Sequence, residues 1–250
     1  MPFIGLGLHV VVAIFFAVHA MKTGRNLYWL IILFSFPLLG SIVYFLVEYL
    51  PHSRLNRGIN KAAGAAMKLL DPEREYREAS AAYDLTPTAQ NKIRLAKAAL
   101  ERGNAQEAVR HYDDALTGPF ASDPELLFGL GRSLLAEGSA AAAVRACDVV
   151  ARLSATHPDY RRDETALLAA RAFAGAGRRD EAARAFEHAL GTYNNVETRA
   201  RYIAWLAQQG DTARASTLME DLQKAARHWS SHARDINREW IALAQGSLKA

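Results

Sequence analysis

The sequence predicts an all-α protein, a solenoid of helix pairs joined to an N-terminal transmembrane helical hairpin. Three observations carry this. A frame built on Gly103, Gly138, Gly177 and Gly210 returns four times, at spacings of 35, 39 and 33 residues. Each of these glycines is followed five residues later by an alanine, Ala108, Ala143, Ala182 and Ala215. Ahead of the frame stand two apolar runs, residues 3–20 and 27–50, each near the length of a helix that spans a bilayer.

The apolar runs come first in the chain. Phe3 to Ala20 is interrupted only by His9 and His19, and Leu27 to Leu50 carries Glu48 near its end. A helix in a globular core would show a polar face, and neither run has one. A secretory signal peptide would place Lys or Arg before the first run and a cleavage site after it; both are missing. Residues 1–50 therefore read as a two-helix hairpin with a six-residue turn, MKTGRN.

In the second run Trp29, Pro37, Gly40 and Tyr44 follow one another at intervals of eight, three and four. This membrane-hairpin pattern resembles the N-terminal membrane segment of cardiolipin synthases, the phospholipase D–type nucleases, over Leu27 to Tyr49. Trp29 and Tyr49 suit the two membrane interfaces, where amphipathic rings anchor. Pro37 and Gly40 permit a bend and a close helix contact. No His in the chain is followed two residues later by Lys, so the catalytic part of that superfamily is missing. The resemblance implies a membrane anchor and not a lipid-synthesising enzyme.

Residues 51–85 read as a basic juxtamembrane linker and a helix. Arg54, Arg57, Lys61 and Lys68 follow the second run, against Lys22 and Arg25 in the turn. The positive-inside rule places the richer side in the cytoplasm, so the soluble part is expected there, with the periplasm as the alternative. The same cluster can lie on anionic headgroups, although a plain topology signal is the simpler reading.

Residues 86–227 hold the repeats. Leu95, Leu130, Ala169 and Tyr202 lie eight before the glycines, and Ala99, Leu134, Phe173 and Leu206 four before, which puts an apolar stripe on the first helix of each pair. The glycine ends that helix in the left-handed cap conformation. The alanine then lets the second helix approach closely, with Tyr112, Cys147, Phe186 and Met219 next along its face. A plain bundle of alanine-rich helices is the alternative, and the recurring frame disfavours it.

A period near 34 residues with this Gly and Ala spacing resembles the tetratricopeptide (TPR) repeat, over Thr86 to Leu222. LAKAALERGNAQEAVRHYDDAL and AARAFAGAGRRDEAARAFEHAL fit best; Cys147 stands where an aromatic is usual, and the fourth repeat departs most. The combination of hairpin, the segment LDPEREYREASAAYDLTPTAQNKIRLAKAALERG and the tail INREWIALA resembles a group of uncharacterised bacterial membrane-anchored TPR proteins. That implies a bacterial inner-membrane location, and a capping helix at residues 228–250.

Composition bounds the function. Of 30 Lys+Arg and 26 Asp+Glu, residues 1–50 hold two and one, leaving 28 against 25 in the remainder. That balance argues against a nucleic-acid partner, which would call for a basic stripe with stacking aromatics. A single cysteine excludes an internal disulfide. His228 and His232 stand four apart, with Asp235 and Glu239 beyond, a spacing that on one helix can face a metal. A solvated face is the better reading, and neither metal nor other cofactor is expected. Cys147 lacks an adjacent His and reads as a core residue. GLGR at 129–132 lacks the downstream Lys-Ser/Thr of a phosphate loop. No catalytic constellation emerges.

The resemblance to TPR arrays implies a concave groove lined by the first helix of each pair. The residues six before each glycine are then expected to face it: Lys97, Arg132, Arg171 and Ala204. Arg94 and Arg201 are expected to flank them, with Asn91 as a hydrogen-bonding neighbour and Phe128 as an apolar contact. Three cations in register suit an acidic segment of a bound peptide, though Lys and Arg are also ordinary surface residues of helices. Two functions follow as expectations: a membrane-anchored scaffold presenting a peptide groove, or a non-catalytic regulatory subunit of an envelope or phospholipid-synthesis enzyme acting through the hairpin.

Overall fold

Proline at position 37 decides the shape of the N-terminal part. The computed structural model describes residues 3–22, 26, 28–49 and 71–249, which fall into two compact units, Met1–Pro72 and Glu73–Ala250. The first holds α1 (Phe3–Lys22), α2 (Tyr28–Ser35), α3 (Pro37–Tyr44) and a π-helical turn, Phe45–Tyr49. The second apolar run, expected as one helix, is thus broken at Phe36, whose φ of −136° and ψ of 73° leave the helical region. Proline explains the break. It has no N–H to continue the ladder, its ring clashes with the carbonyl four residues back, and it is preorganised to start a new helix. Among the described residues no helix is long and apolar enough to cross a membrane.

α3 folds back against α2. A Cβ on Gly40 would stand 2.7 Å from the Ile32 carbonyl oxygen, so only glycine admits this approach. Phe16, Leu33 and Tyr44 fill the space between the three helices with Trp29, which the sequence placed at a membrane interface. Trp29 is instead buried, its ring meeting that of Tyr44 edge to face at 5.2 Å and 84°. The Tyr44 hydroxyl lies 3.0 Å from Nδ1 of His19. The exposed side chains described in this unit are largely apolar, Val11, Phe15, Ile31, Phe34, Phe36 and Leu39 among them. The basic cluster Arg54, Arg57, Lys61 and Lys68 lies outside the described residues.

The second unit is all-helical, and the described residues contain no strand. It starts with α4 (Arg74–Leu85), which the sequence grouped with the linker. Four pairs follow: α5 (Ala89–Glu101) with α6 (Ala105–Ala115), α7 (Pro124–Glu137) with α8 (Ala140–Thr156), α9 (Arg162–Gly175) with α10 (Arg179–Tyr193), and α11 (Val196–Gln208) with α12 (Thr212–Arg227). Each pair packs within itself and against the next, an arrangement compatible with an α-solenoid. The chain closes with α13 (Ser231–Ile236) and α14 (Arg238–Ser247), where the sequence predicted one capping helix.

The turns are built as their residue types dictate. Gly103, Gly138, Gly177 and Gly210 have φ of 87°, 80°, 72° and 83°, a region that costs any residue with a Cβ. Amides three residues past the helix bond back to its last turn, Asn104 to the Ala99 carbonyl at 2.9 Å and Asp211 to Leu206 at 3.0 Å. That bond satisfies carbonyls the helix leaves open. Three of the four second helices then start from side-chain caps: Asn104 accepts from the Glu107 amide, Ser139 from Ala142 and Asp211 from Arg214, whereas α10 follows Arg178 without one. Ala108, Ala143, Ala182 and Ala215 are all buried at the crossings, and Cys147 is a buried core residue.

Two further placements matter for the site. The connection between α8 and α9 turns through Arg161, whose φ of 42° is positive, and brings Tyr160 to 6.0 Å from the Phe128 ring. α14 packs on α11. Helix α12 ends before His228, and Ser230 caps a new helix, so His228 and His232 do not share one helical face. The spacing that offered both to a metal is thereby lost, and Asp235 is bonded to Arg238. The described residues contain no group of three or more potential ligands arranged for a metal ion.

Candidate functional site

The first helices of the pairs carry the expected cations onto one face. Two cavities open there. The first, of about 270 Å3, is lined by Lys97 of α5, Glu125, Phe128 and Arg132 of α7, and Tyr160 and Arg161 of the connection. The second, of about 280 Å3, is lined by Phe128 and Arg132 again, Arg171 of α9, Glu197 and Arg201 of α11, and Trp240 of α14. Phe128 and Arg132 therefore border both.

The helical register produces this grouping. Arg132 and Arg171 each stand six residues before a turn glycine, so equivalent turns of neighbouring first helices present them on one face, Arg132 exposed and Arg171 partly buried. Gly129 lets Tyr112 reach under α7, since a Cβ there would stand 2.3 Å from the Tyr112 ring. Tyr112 thereby forms part of the floor of the first cavity. Burial pushes the Tyr112 phenol up to about 12, with the Arg132 charge opposing it.

The electrostatic states of the cations differ. Lys97 is bonded to Glu125. Arg94 holds Glu75 at 2.8 Å and approaches Glu78 at 3.5 Å, which ties α5 to α4 and keeps it out of both cavities. Asn91 is also engaged, its amide donating to the Ala82 and Thr86 carbonyls at the end of α4 at 3.2 and 2.8 Å. Arg201 donates to Glu197 at 2.8 Å and lies 4.9 Å from the centroid of the Trp240 ring. Arg161 pairs with Glu164 at 3.2 Å and stands 5.3 Å over the Phe128 ring.

Arg132 and Arg171 are different. Among the described residues neither forms an ion pair or a hydrogen bond, and Arg171 is only partly exposed. Burial, reinforced by the nearby Arg201 and Arg132 charges and opposed by Glu197, pushes Arg171 down to about 10. It remains charged at neutral pH, held in surroundings that disfavour the charge.

Of the residues singled out in the sequence, Lys97, Phe128, Arg132, Arg171 and Arg201 meet around these cavities, whereas Arg94 and Asn91 serve the contact with α4. Sequence reasoning missed Glu197, Tyr160 and Trp240 as walls. Trp240 lies far along the chain, and only the packing of α14 on α11 brings it in. Trp29, Pro37, Gly40 and Tyr44 belong to the other unit and hold α2 and α3 together. Compared with known proteins, the chain matches no protein-family model and no curated sequence.

Proposed function

We propose that this protein is a non-catalytic, membrane-anchored scaffold of TPR type, and that its Arg132–Arg171 face recognises acidic segments of protein partners. One observation carries the recognition half: Arg132 and Arg171 line a common cavity and, among the described residues, form neither an ion pair nor a hydrogen bond, while their neighbours Lys97, Arg94 and Arg201 are already paired. Unpaired guanidiniums in a concavity present planar forks of N–H donors, the geometry that binds carboxylates in pairs of bonds. The TPR reading rests on the four left-handed turn glycines and the four buried crossing alanines.

The anchoring half rests on the N-terminal unit. Its exposed side chains are large and apolar on all three helices, which in water would be a strong association liability and in a bilayer is the favourable state. The charge asymmetry around the apolar runs supports a cytoplasmic placement of the repeats, and the resemblance to membrane-anchored TPR proteins supports a bacterial inner membrane.

Partner capture by the full chain tests the reading. Changing Arg132 and Arg171 together to Glu is expected to abolish capture of the partners held by the native chain, because like charges facing across an interface cost several kcal/mol. Native capture should also weaken with salt, as exposed charge pairs are screened. Unchanged capture by the double variant places recognition elsewhere and overturns the proposal.

A further inference from the structure

The cavity between α7, α9, α11 and α14 carries more positive charge than the chain neutralises. Its lining charges are Arg132, Arg171, Arg201, Glu164 and Glu197. Arg201 is matched by Glu197, and Glu164 by Arg161 at the rim. Among the described residues Arg132 and Arg171 remain, two positive charges with no ion-pair partner of their own. A half-buried guanidinium without hydrogen bonds is costly, and proteins seldom keep one that nothing completes.

The shape of the surplus restricts what completes it. Among the described residues Arg132 and Arg171 have all their N–H donors open, and Arg201 uses Nε on Glu197 while its terminal nitrogens make no hydrogen bond. Three guanidiniums therefore offer donors around one space. A single carboxylate brings one negative charge and two oxygens. A phosphate monoester brings nearly two charges and three acceptor oxygens, which matches the two unpaired charges and gives one oxygen to each of the three guanidiniums. Beside the cations the wall is apolar and aromatic, with Phe128, Leu167, Leu168 and Trp240. A carbon skeleton attached to the phosphoryl group would lie there.

We propose that this cavity binds a phosphate monoester, its phosphoryl group seated among Arg132, Arg171 and Arg201 and its organic part against Trp240 and Phe128. The proposal rests on the reading of this face as a recognition surface, but not on the partner being acidic through carboxylates. The ester is borne by a free metabolite or by a phosphorylated side chain of a partner, and the same chemistry serves both.

The test uses the full chain, with phenyl phosphate, inorganic phosphate and acetate as probes, read by calorimetry and by the shift in unfolding temperature. Phenyl phosphate is expected to bind and to raise the unfolding temperature, inorganic phosphate to do so more weakly, and acetate at equal ionic strength to do neither. Arg171→Met and, separately, Arg132→Gln should each weaken phenyl phosphate binding by at least about tenfold, the usual loss for a charge-assisted hydrogen bond. Arg132 is exposed, so its variant keeps the fold intact if Arg171→Met does not. A phosphotyrosine peptide that binds more tightly than phenyl phosphate identifies a protein source; equal affinity identifies a small molecule. Acetate binding as well as phenyl phosphate, no binding of either phosphate, or full affinity in both variants overturns the proposal. Loss of phosphate binding with partner capture intact sinks this inference alone, and loss of capture with phosphate binding intact sinks the acidic-peptide reading alone.

Discussion

The ring of Tyr112 occupies the space that a side chain on Gly129 would need: a Cβ there would fall 2.3 Å from Cζ and 2.4 Å from Cε1. One glycine in the middle of α7 thus sets how deeply α6 seats against it, and so the floor of the first cavity. Gly129→Ala should destabilise the second unit by about 1–3 kcal/mol through overpacking, although alanine is the better helix former. Urea unfolding measures it. Tyr112→Leu introduced with Gly129→Ala should recover part of the loss, because contacting residues couple. Additive costs would show that the two do not share the space.

Tyr112 and Tyr202 govern the alkaline limit. Burial raises both phenols to about 12, from an ordinary value of 10.0. The folded state then holds its protons more tightly than the unfolded one, so the stability these groups contribute is complete below pH 10 and lost as pH rises towards 12. Arg171, pushed down to about 10, acts in the opposite sense over the window above that value, and one such group does not offset two. Ultraviolet titration should show these two tyrosines ionising together with unfolding rather than near pH 10. Full ionisation at pH 10 with helicity retained would contradict their burial.

Gly40→Leu should loosen the N-terminal unit. The added side chain would begin 2.7 Å from the Ile32 carbonyl oxygen, and backbone cannot move aside as a flexible side chain can. Hydrogen exchange over residues 28–44 is expected to rise at least tenfold in the variant, equivalent to about 1.4 kcal/mol of lost protection. Unaltered exchange would mean that α3 does not lie against α2 in solution.

Ala182→Arg should unfold its repeat, since Ala182 is fully buried where α10 meets α9. The cost combines overpacking with a buried unpaired charge, and about 4 kcal/mol or more is expected. Circular dichroism through a thermal ramp reads it. A variant as stable as the native chain would show that the crossing has room to spare.

Reporter fusions test the placement in the membrane. A reporter after Ala250 should behave as cytoplasmic if the excess of Lys and Arg at residues 54–68 orients the chain. Periplasmic behaviour would reverse the proposed location.

The periodic part of this protein was legible in its sequence for a physical reason. A turn with positive φ admits glycine at little cost, and a close crossing admits alanine, so the residue types at 103, 108, 138 and 143 announce backbone geometry directly. The four pairs and their turns follow from that spacing, and the common face of Arg132 and Arg171 was what the resemblance to TPR arrays implied. Three-dimensional packing decided the rest. Apolar content marked residues 27–50 as one segment in which Pro37 permits a bend, but how far α3 folds back, with Gly40 against Ile32, emerges only when α1, α2 and α3 meet. The site divides in the same way. Sequence placed the cations, whereas which of them stay unpaired depended on carboxylates brought from other helices: Glu125 to Lys97, Glu75 to Arg94, none to Arg171. Trp240, distant along the chain, closes the cavity only because α14 packs on α11. Local backbone preference is written residue by residue, but the neutralisation of a charge depends on neighbours that only the assembled fold supplies.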